Sequence, residues 1–155
     1  DYVDLSLDDG ASFTGEFIRF NSLVKRVNRP SSQSNLYVGL GAGLDALHTA
    51  WSQPLGMGMV QIDHETDSFY TALVAQGYQG HEVRPWSVRG RVGFAPFVAD
   101  YGQLQPWLVL QTTYFPDSPE DLMVTPMLRW FYGSALWELG MSLEGALWWQ
   151  LMVHF

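Results

Sequence analysis

The sequence predicts an all-β fold: an antiparallel, up-and-down transmembrane β-barrel of eight strands, with ten strands as the alternative. From residue 35 onward the chain divides into short segments of alternating apolar and polar residues, separated by turns. One face of each segment is apolar, whereas the other holds isolated charges and amides. No lysine occurs from residue 86 to 155, so the polar faces lack the composition of a water-exposed surface. The polar faces have the composition of a narrow, enclosed barrel interior, so the apolar faces are predicted to contact lipid.

Turn composition sets the boundaries of the predicted strands. Glycine supplies positive φ, proline fixes φ, and Asp and Ser form local hydrogen bonds, so clusters of these residues interrupt strands. Such clusters occur at 64–67, 79–82, 116–119, 133–134 and 144–145. The eight predicted strands are 35–45, 55–63, 68–78, 86–97, 104–115, 121–131, 135–142 and 146–155.

The last segment, ALWWQLMVHF, is the most apolar and ends on phenylalanine. At strand period its apolar face carries Leu147, Trp149, Leu151, Val153 and Phe155. This ending resembles the C-terminal strand of bacterial outer-membrane β-barrel proteins, in which that strand is the signal recognised by the barrel-assembly machinery. The resemblance implies an outer-membrane location. It also implies the lipid bilayer, the assembly machinery, and lipopolysaccharide or other envelope proteins as partners.

Composition argues against several other classes of protein. The net charge of −8 does not suit a nucleic-acid-binding surface, which would be basic. The absence of cysteine excludes disulfides and cysteine-ligated metals. No apolar run approaches the roughly 20 residues of a membrane helix. No cofactor motif is present, and no cofactor is expected.

Residues 1–34 precede the predicted barrel of residues 35–155 and allow two structures. A hairpin turning on Asp9 and Gly10 would add two strands and give ten. Alternatively, residues 15–27 form an amphipathic helix on the membrane surface, because four apolar residues recur at helical spacing. They are Phe17, Phe20, Val24 and Val27. The chain length favours eight strands, and the sequence leaves both alternatives open.

Five charged residues are predicted to face the barrel interior, where a buried charge must be paired. They are Asp63, Arg89, Arg91, Arg129 and Glu138. Side chains fill the interior of an eight-stranded barrel, and large residues such as Trp107 and Trp148 could plug it. A structural ion-pair network is the preferred interpretation, and a charged pore constriction is the alternative.

The signal for a metal site is weak. Met57 and Met59 share the inward face and, with His64 or His81, suggest a soft metal such as Cu(I). The two histidines fall in successive turns and therefore at opposite ends of the barrel, so methionines that fill gaps are the preferred interpretation. Three glycines at strand period are expected to make room for large side chains opposite them. These are Gly39, Gly41 and Gly43.

An enzymatic alternative rests on the same resemblance, since some small outer-membrane barrels modify lipid A with Ser, His and a carboxylate near the outer rim. The candidates in the outer loops are His48, Ser52, His81, Glu82, Ser118 and Glu120. A nucleophile needs a base within hydrogen-bond reach and a third group to orient that base, and no spacing here enforces this. No G-x-S-x-G motif is present.

Strand alternation predicts the side of each turn if the C-terminus faces the periplasm. Turns 64–67, 98–103 and 132–134 would then face the periplasm. Turns 46–54, 79–85, 116–120 and 143–145 would face outside. Aromatic residues near strand ends are expected to form belts at the two membrane interfaces. They are Tyr37, Tyr70, Trp86, Tyr114, Phe115, Trp130, Phe131 and Phe155.

The sequence thus predicts a small outer-membrane barrel with a structural, partner-binding or narrow-transport role. The first alternative is an outer-membrane enzyme that modifies lipid A or phospholipid. The second is a soluble, lipocalin-like ligand-binding barrel, which the apolar last strand disfavours.

Overall fold

The computed structural model describes residues 2–6, 12–45, 53–80, 84–100, 102–116, 118 and 121–153. Within these residues the chain forms ten β-strands. They contain no helix that is long and apolar enough to cross a membrane. The strands are β1 Tyr2–Ser6, β2 Ser12–Arg29, β3 Ser32–Asp45, β4 Pro54–Thr66, β5 Phe69–Gln79, β6 Trp86–Phe94, β7 Gln105–Tyr114, β8 Leu122–Tyr132, β9 Ala135–Met141 and β10 Leu147–Val153.

The strands form one antiparallel sheet in which each strand pairs with its neighbours in sequence, from β1 to β10. This order confirms the predicted up-and-down architecture. Side chains from distant strands meet across one face of the sheet. The rings of Phe17 on β2 and Tyr78 on β5 are 5.6 Å apart, and the Arg129 guanidinium on β8 lies 4.3 Å from the ring of Tyr70 on β5. The sheet is therefore curled into a half-barrel with a concave and a convex face.

Closure into a complete barrel is not seen in the described part of the chain. There, β1 pairs with β2 alone and β10 pairs with β9 alone, so these two strands are the edges of the sheet. The first edge is short because β1 contributes five residues, Tyr2–Ser6, all paired with residues 12–16 of β2.

The N-terminal segment belongs to the same sheet, so the helix alternative is wrong and the two additional strands are present as the antiparallel pair β1 and β2. The predicted turn residues Asp9 and Gly10 lie outside the described residues. Strand β2 is 18 residues long and pairs with both β1 and β3. Phe17 is 5% exposed and Phe20 is 77% exposed, because residues three apart lie on opposite faces of a strand. A register shift between Leu23 and Lys25 then changes which residues face inward. Ten strands replace the expected eight.

The concave face contains the buried side chains, and the convex face exposes apolar ones. On β7, Trp107 and Val109 are buried, whereas Leu108 and Leu110 are exposed, so Trp107 faces the interior as predicted. One buried cluster comprises Tyr70, Ala72, Ala95, Trp107, Val109 and Met127, with Phe131 and Trp148 packed against it. A second comprises Phe17, Leu55, Met57 and Tyr78.

Connections differ between the two ends of the sheet. At one end, here called the short-turn end, residues 30–31, 67–68 and 133–134 form connections of two residues each, and residues 95–104 form a longer one. At the other, the loop end, β1 connects to β2, β3 to β4, β5 to β6, β7 to β8 and β9 to β10. The two predicted groups of turns therefore lie at opposite ends of the sheet.

Candidate functional site on the concave face

Arg91, Arg129 and Glu138 form an ion-pair cluster in the middle of the concave face. Glu138 is 1% exposed, and its Oε1 accepts hydrogen bonds from Arg129 Nε at 2.6 Å and Arg91 Nη1 at 3.2 Å. Its Oε2 accepts from Arg91 Nη2 at 3.3 Å. Arg129 and Glu138 are cross-strand partners on β8 and β9, whereas Arg91 reaches across the curled sheet from β6. One carboxylate therefore serves two guanidinium groups.

Neighbouring side chains fix both arginines of this cluster. Arg91 Nε donates to Gln111 Oε1 at 2.8 Å, and the Arg91 guanidinium lies 5.6 Å from the ring of Trp148. The Arg129 guanidinium lies 4.3 Å from the ring of Tyr70. Guanidinium groups held over aromatic faces keep a favourable electrostatic contact without water. The cluster is thus packed as well as paired.

Arg89 lies beside this cluster but does not share its carboxylate. Its guanidinium lies 5.0 Å from the ring of Trp148, and its Nε is buried without a hydrogen-bond partner among the described residues. The hydroxyl of Ser87, two residues earlier on the same face of β6, is also buried without a partner there. The predicted network therefore leaves one guanidinium unneutralised.

Asp63, the fifth predicted member, belongs to a separate chain of hydrogen bonds. Asn35 Nδ2 donates to Asp63 Oδ1 at 2.7 Å, and Gln61 Nε2 donates to Asp63 Oδ2 at 3.0 Å. Arg26 Nε donates to Asn35 Oδ1 at 2.8 Å. Sequence reasoning missed Arg26 because the bulge in β2 decides which way it points. The predicted single network is thus two groups, around Glu138 and around Asp63.

Met57 and Met59 fill space opposite glycines, as the gap-filling interpretation predicts. They are cross-strand partners of Gly41 and Gly39 and are buried. A Cβ at Gly41 would lie 2.5 Å from Met57 Cγ, and one at Gly39 would lie 2.8 Å from Met59 Cγ. His64 lies on the opposite, convex face of β4. Within the described residues no group of three His, Cys, Asp or Glu side chains could hold a metal ion.

A cavity of about 590 Å³ opens at the short-turn end. Its lining includes Glu65, Gln105, Trp107 and Phe131. The rings of Trp107 and Phe131 meet edge-on, with centroids 6.5 Å apart, and both residues line the cavity and belong to or pack against the buried cluster around Tyr70. Glu65 lies beyond the convex apolar residues of β4, which end at Ile62. Burial raises the pKa of Glu65, the charge of Arg129 opposes this effect, and the charge of Asp63 adds to it.

The convex face is apolar between two aromatic pairs. Trp86 and Tyr114 meet near the loop end with ring centroids 6.2 Å apart, and Trp130 and Trp137 meet near the short-turn end at 5.4 Å. Three aromatics predicted for interfacial belts lie on the concave face instead, because their strand parity points them inward. They are Tyr37, Tyr70 and Phe131. On β10, Trp149, Leu151 and Val153 are exposed on the convex face, and Phe155 lies outside the described residues.

One polar pair on the convex face was not anticipated. Ser34 Oγ lies 2.8 Å from His64 Nδ1, across the β3–β4 ladder near the short-turn end. The candidates His48, Ser52, His81, Glu82 and Glu120 lie outside the described residues. Ser118 is described, and its backbone N–H donates to the carbonyl of Phe115 at 3.2 Å in the β7–β8 connection. The face pattern alone could have flagged His64 as a polar residue among apolar ones.

Comparison with known proteins assigns neither a family nor a function to this chain. A scan against models of protein families, a search of curated proteins and a search of solved structures give no match to this chain.

Proposed function

We propose that this chain is an integral protein of the bacterial outer membrane, held in lipid by its convex face, with a structural or partner-binding role. The observation that carries the proposal is the inverted burial of the sheet. Large apolar residues such as Ile18 and Leu40 are each 73% exposed, whereas Arg129 is 5% exposed and Glu138 is 1% exposed. A domain in water reverses this arrangement, because contiguous exposed apolar surface is unfavourable there.

The dimensions of the convex face support contact with a bilayer. Strands β5, β7 and β8 have 10 or 11 residues, which is about the length that crosses the hydrocarbon layer at a tilt near 45°. The Trp86–Tyr114 and Trp130–Trp137 pairs lie near opposite ends of the sheet, where interfacial aromatic residues favour the headgroup region.

The packed concave face favours a structural role over transport. Trp107 is 3% exposed, and Trp148 packs against the same buried cluster. The Glu138 cluster occupies the space beside them with two guanidinium groups. A conducting interior needs a continuous water path, whereas these side chains fill the centre of the face.

Membrane insertion also requires that both edges of the sheet be paired. Lipid offers no hydrogen-bond partner to the free N–H and C=O groups of β1 and β10. We therefore expect these two strands to pair with each other or with further strands once the protein is in a membrane.

The experiment that tests the proposal is electrophoretic mobility of the protein from the membrane fraction, with and without boiling. A boiling-dependent shift, recovered by refolding only with detergent or lipid, is the expected result. A freely soluble protein with unchanged mobility would contradict the proposal and favour a ligand-binding domain in water.

A second candidate function is hydrolysis of a lipid ester, and the Ser34–His64 pair favours it. The pair lies on the proposed lipid-facing side near an interface, where an ester group of a phospholipid is accessible. Ser34 Oγ would attack the ester carbonyl while His64 accepts its proton and returns it to the leaving alcohol, and water would then release the acyl group. Within the described residues His64 lacks a third group that orients it, so this function ranks second.

Phospholipid vesicles provide the test of this second function. Fatty-acid release by the refolded protein, abolished in Ser34→Ala and His64→Ala and retained in Ser118→Ala, is the expected result. Equal release by all four proteins, or none by the unmodified protein, would reject hydrolysis.

A further inference from the structure

The concave face near β6 carries more positive than negative charge. Arg89, Arg91 and Arg129 supply three guanidinium groups, and Glu138 is the carboxylate bonded to two of them. Arg89 has no carboxylate within salt-bridge distance among the described residues. A buried charge without a partner is costly, so an additional anion would stabilise this part of the molecule.

Two buried donors beside each other lack an acceptor in the described structure. They are the hydroxyl of Ser87, which is 0% exposed, and Nε of Arg89. Both point to the concave face from β6, about 7 Å apart along the strand at the usual rise per residue. Leaving a buried donor unpaired is unfavourable, and more so when the donor is charged.

The Arg89 guanidinium is positioned rather than free to move. Its central carbon lies 5.0 Å from the centre of the Trp148 ring, and its Nε is buried without an acceptor among the described residues. Arg91, 5.6 Å from the same ring, adds a second positive charge beside it. A planar guanidinium edge with a neighbouring hydroxyl donor matches the oxygens of a tetrahedral oxyanion.

We propose that Ser87 and Arg89 form an anion-binding site at the loop end of the concave face, and that it takes a phosphate group. Ser87 is the second residue of β6, so the site lies just inside the β5–β6 connection. The Arg89 guanidinium holds two phosphate oxygens, and Ser87 donates its hydroxyl hydrogen to an oxygen of the same group. The phosphate group comes from free phosphate or from a lipid headgroup. This site depends on the concave face and not on lipid contact by the convex face.

Titration with inorganic phosphate tests the site in the full chain refolded in a non-ionic detergent. Sodium chloride at matched ionic strength is the reference, and calorimetry gives the affinity. We expect saturable phosphate binding that is weakened about tenfold or more in Arg89→Gln and also weakened in Ser87→Ala. Arg84→Gln is the matched control, because Arg84 is an exposed arginine at the same end. It should bind as the unmodified protein does.

A second titration separates the two sources of the phosphate group. If a lipid headgroup reaches the site, micelles containing phosphatidic acid should compete with inorganic phosphate. If the site binds free phosphate alone, these micelles should leave the affinity for inorganic phosphate unchanged. Both results support the site. No saturable phosphate binding, or equal affinity in Ser87→Ala and Arg89→Gln, would overturn it. Binding that appears only in Glu82→Gln would also overturn it, because the acceptor for Arg89 would then be the chain's own carboxylate.

Discussion

Arg129 and Glu138 are direct cross-strand partners on β8 and β9, and Arg129 Nε and Nη2 both lie 2.6 Å from Glu138 Oε1. The same carboxylate also accepts from Arg91, which approaches from β6. Removing the carboxylate would therefore leave two buried guanidinium groups without their negative partner.

Glu138→Gln should lower the free energy of unfolding by about 3–5 kcal/mol, the usual cost of breaking a buried pair by removing one partner. Urea-induced unfolding of the refolded protein in detergent or lipid measures the change. Glu144→Gln is the control, because Glu144 is exposed in the turn between β9 and β10. Equal unfolding midpoints for the two variants would show that the cluster contributes little to stability.

Leu110→Arg separates a lipid-facing convex surface from a water-facing one. Leu110 is 46% exposed in the middle of β7, between Val92 and Pro126 on the neighbouring strands. If this face contacts lipid, the arginine should lower the free energy of unfolding by about 2–4 kcal/mol. If it contacts water, the free energy of unfolding should change by no more than about 0.5 kcal/mol. Leu143→Arg, at a turn residue that is 73% exposed, is the control and should be nearly neutral.

Gly140→Ala tests whether close packing on the concave face depends on glycine. A Cβ at Gly140 would lie 2.6 Å from Met127 Cγ and 2.9 Å from the carbonyl oxygen of Pro126, and the backbone atom cannot move aside without shifting β8. We expect a loss of about 1–3 kcal/mol in unfolding free energy. At Gly77 a Cβ would meet no atom within 4 Å, so Gly77→Ala should be nearly neutral. A neutral Gly140→Ala would contradict this account.

Strand periodicity predicted which face a side chain occupies far better than which partner it finds. The inward positions of Arg129 and Glu138 follow from alternation alone, because the period of a strand is two. The partners of these side chains depend on the pairing register of the strands and on the curvature of the sheet. The prediction that placed Asp63 with Glu138 was therefore wrong, because Asp63 accepts a hydrogen bond from Asn35. Ser34 and His64 could not be joined from sequence for the same reason, since 30 residues separate them.

The N-terminal segment shows the limit of periodicity itself. In β2 the apolar residues occur on both faces, since Phe17 packs inside and Phe20 is exposed outside. A segment with two apolar faces satisfies helical spacing as readily as strand spacing, and the pairing with β3 decides in favour of the strand. The bulge between Leu23 and Lys25 could not be predicted, because no turn residue marks it.

The two edge strands should pair when the sheet is in lipid, and engineered cysteines can detect this. The chain has no cysteine, so Asp4→Cys can be combined in turn with Trp149→Cys, Gln150→Cys or Leu151→Cys without background. If β1 pairs with β10, one of these double variants should form an intramolecular disulfide in lipid, because facing Cβ atoms come within about 4.5 Å. Disulfide-linked dimers of Gln150→Cys alone would show instead that a second copy covers the edge. Absence of any cross-link in lipid would contradict direct pairing of Asp4 on β1 with residues 149–151 of β10.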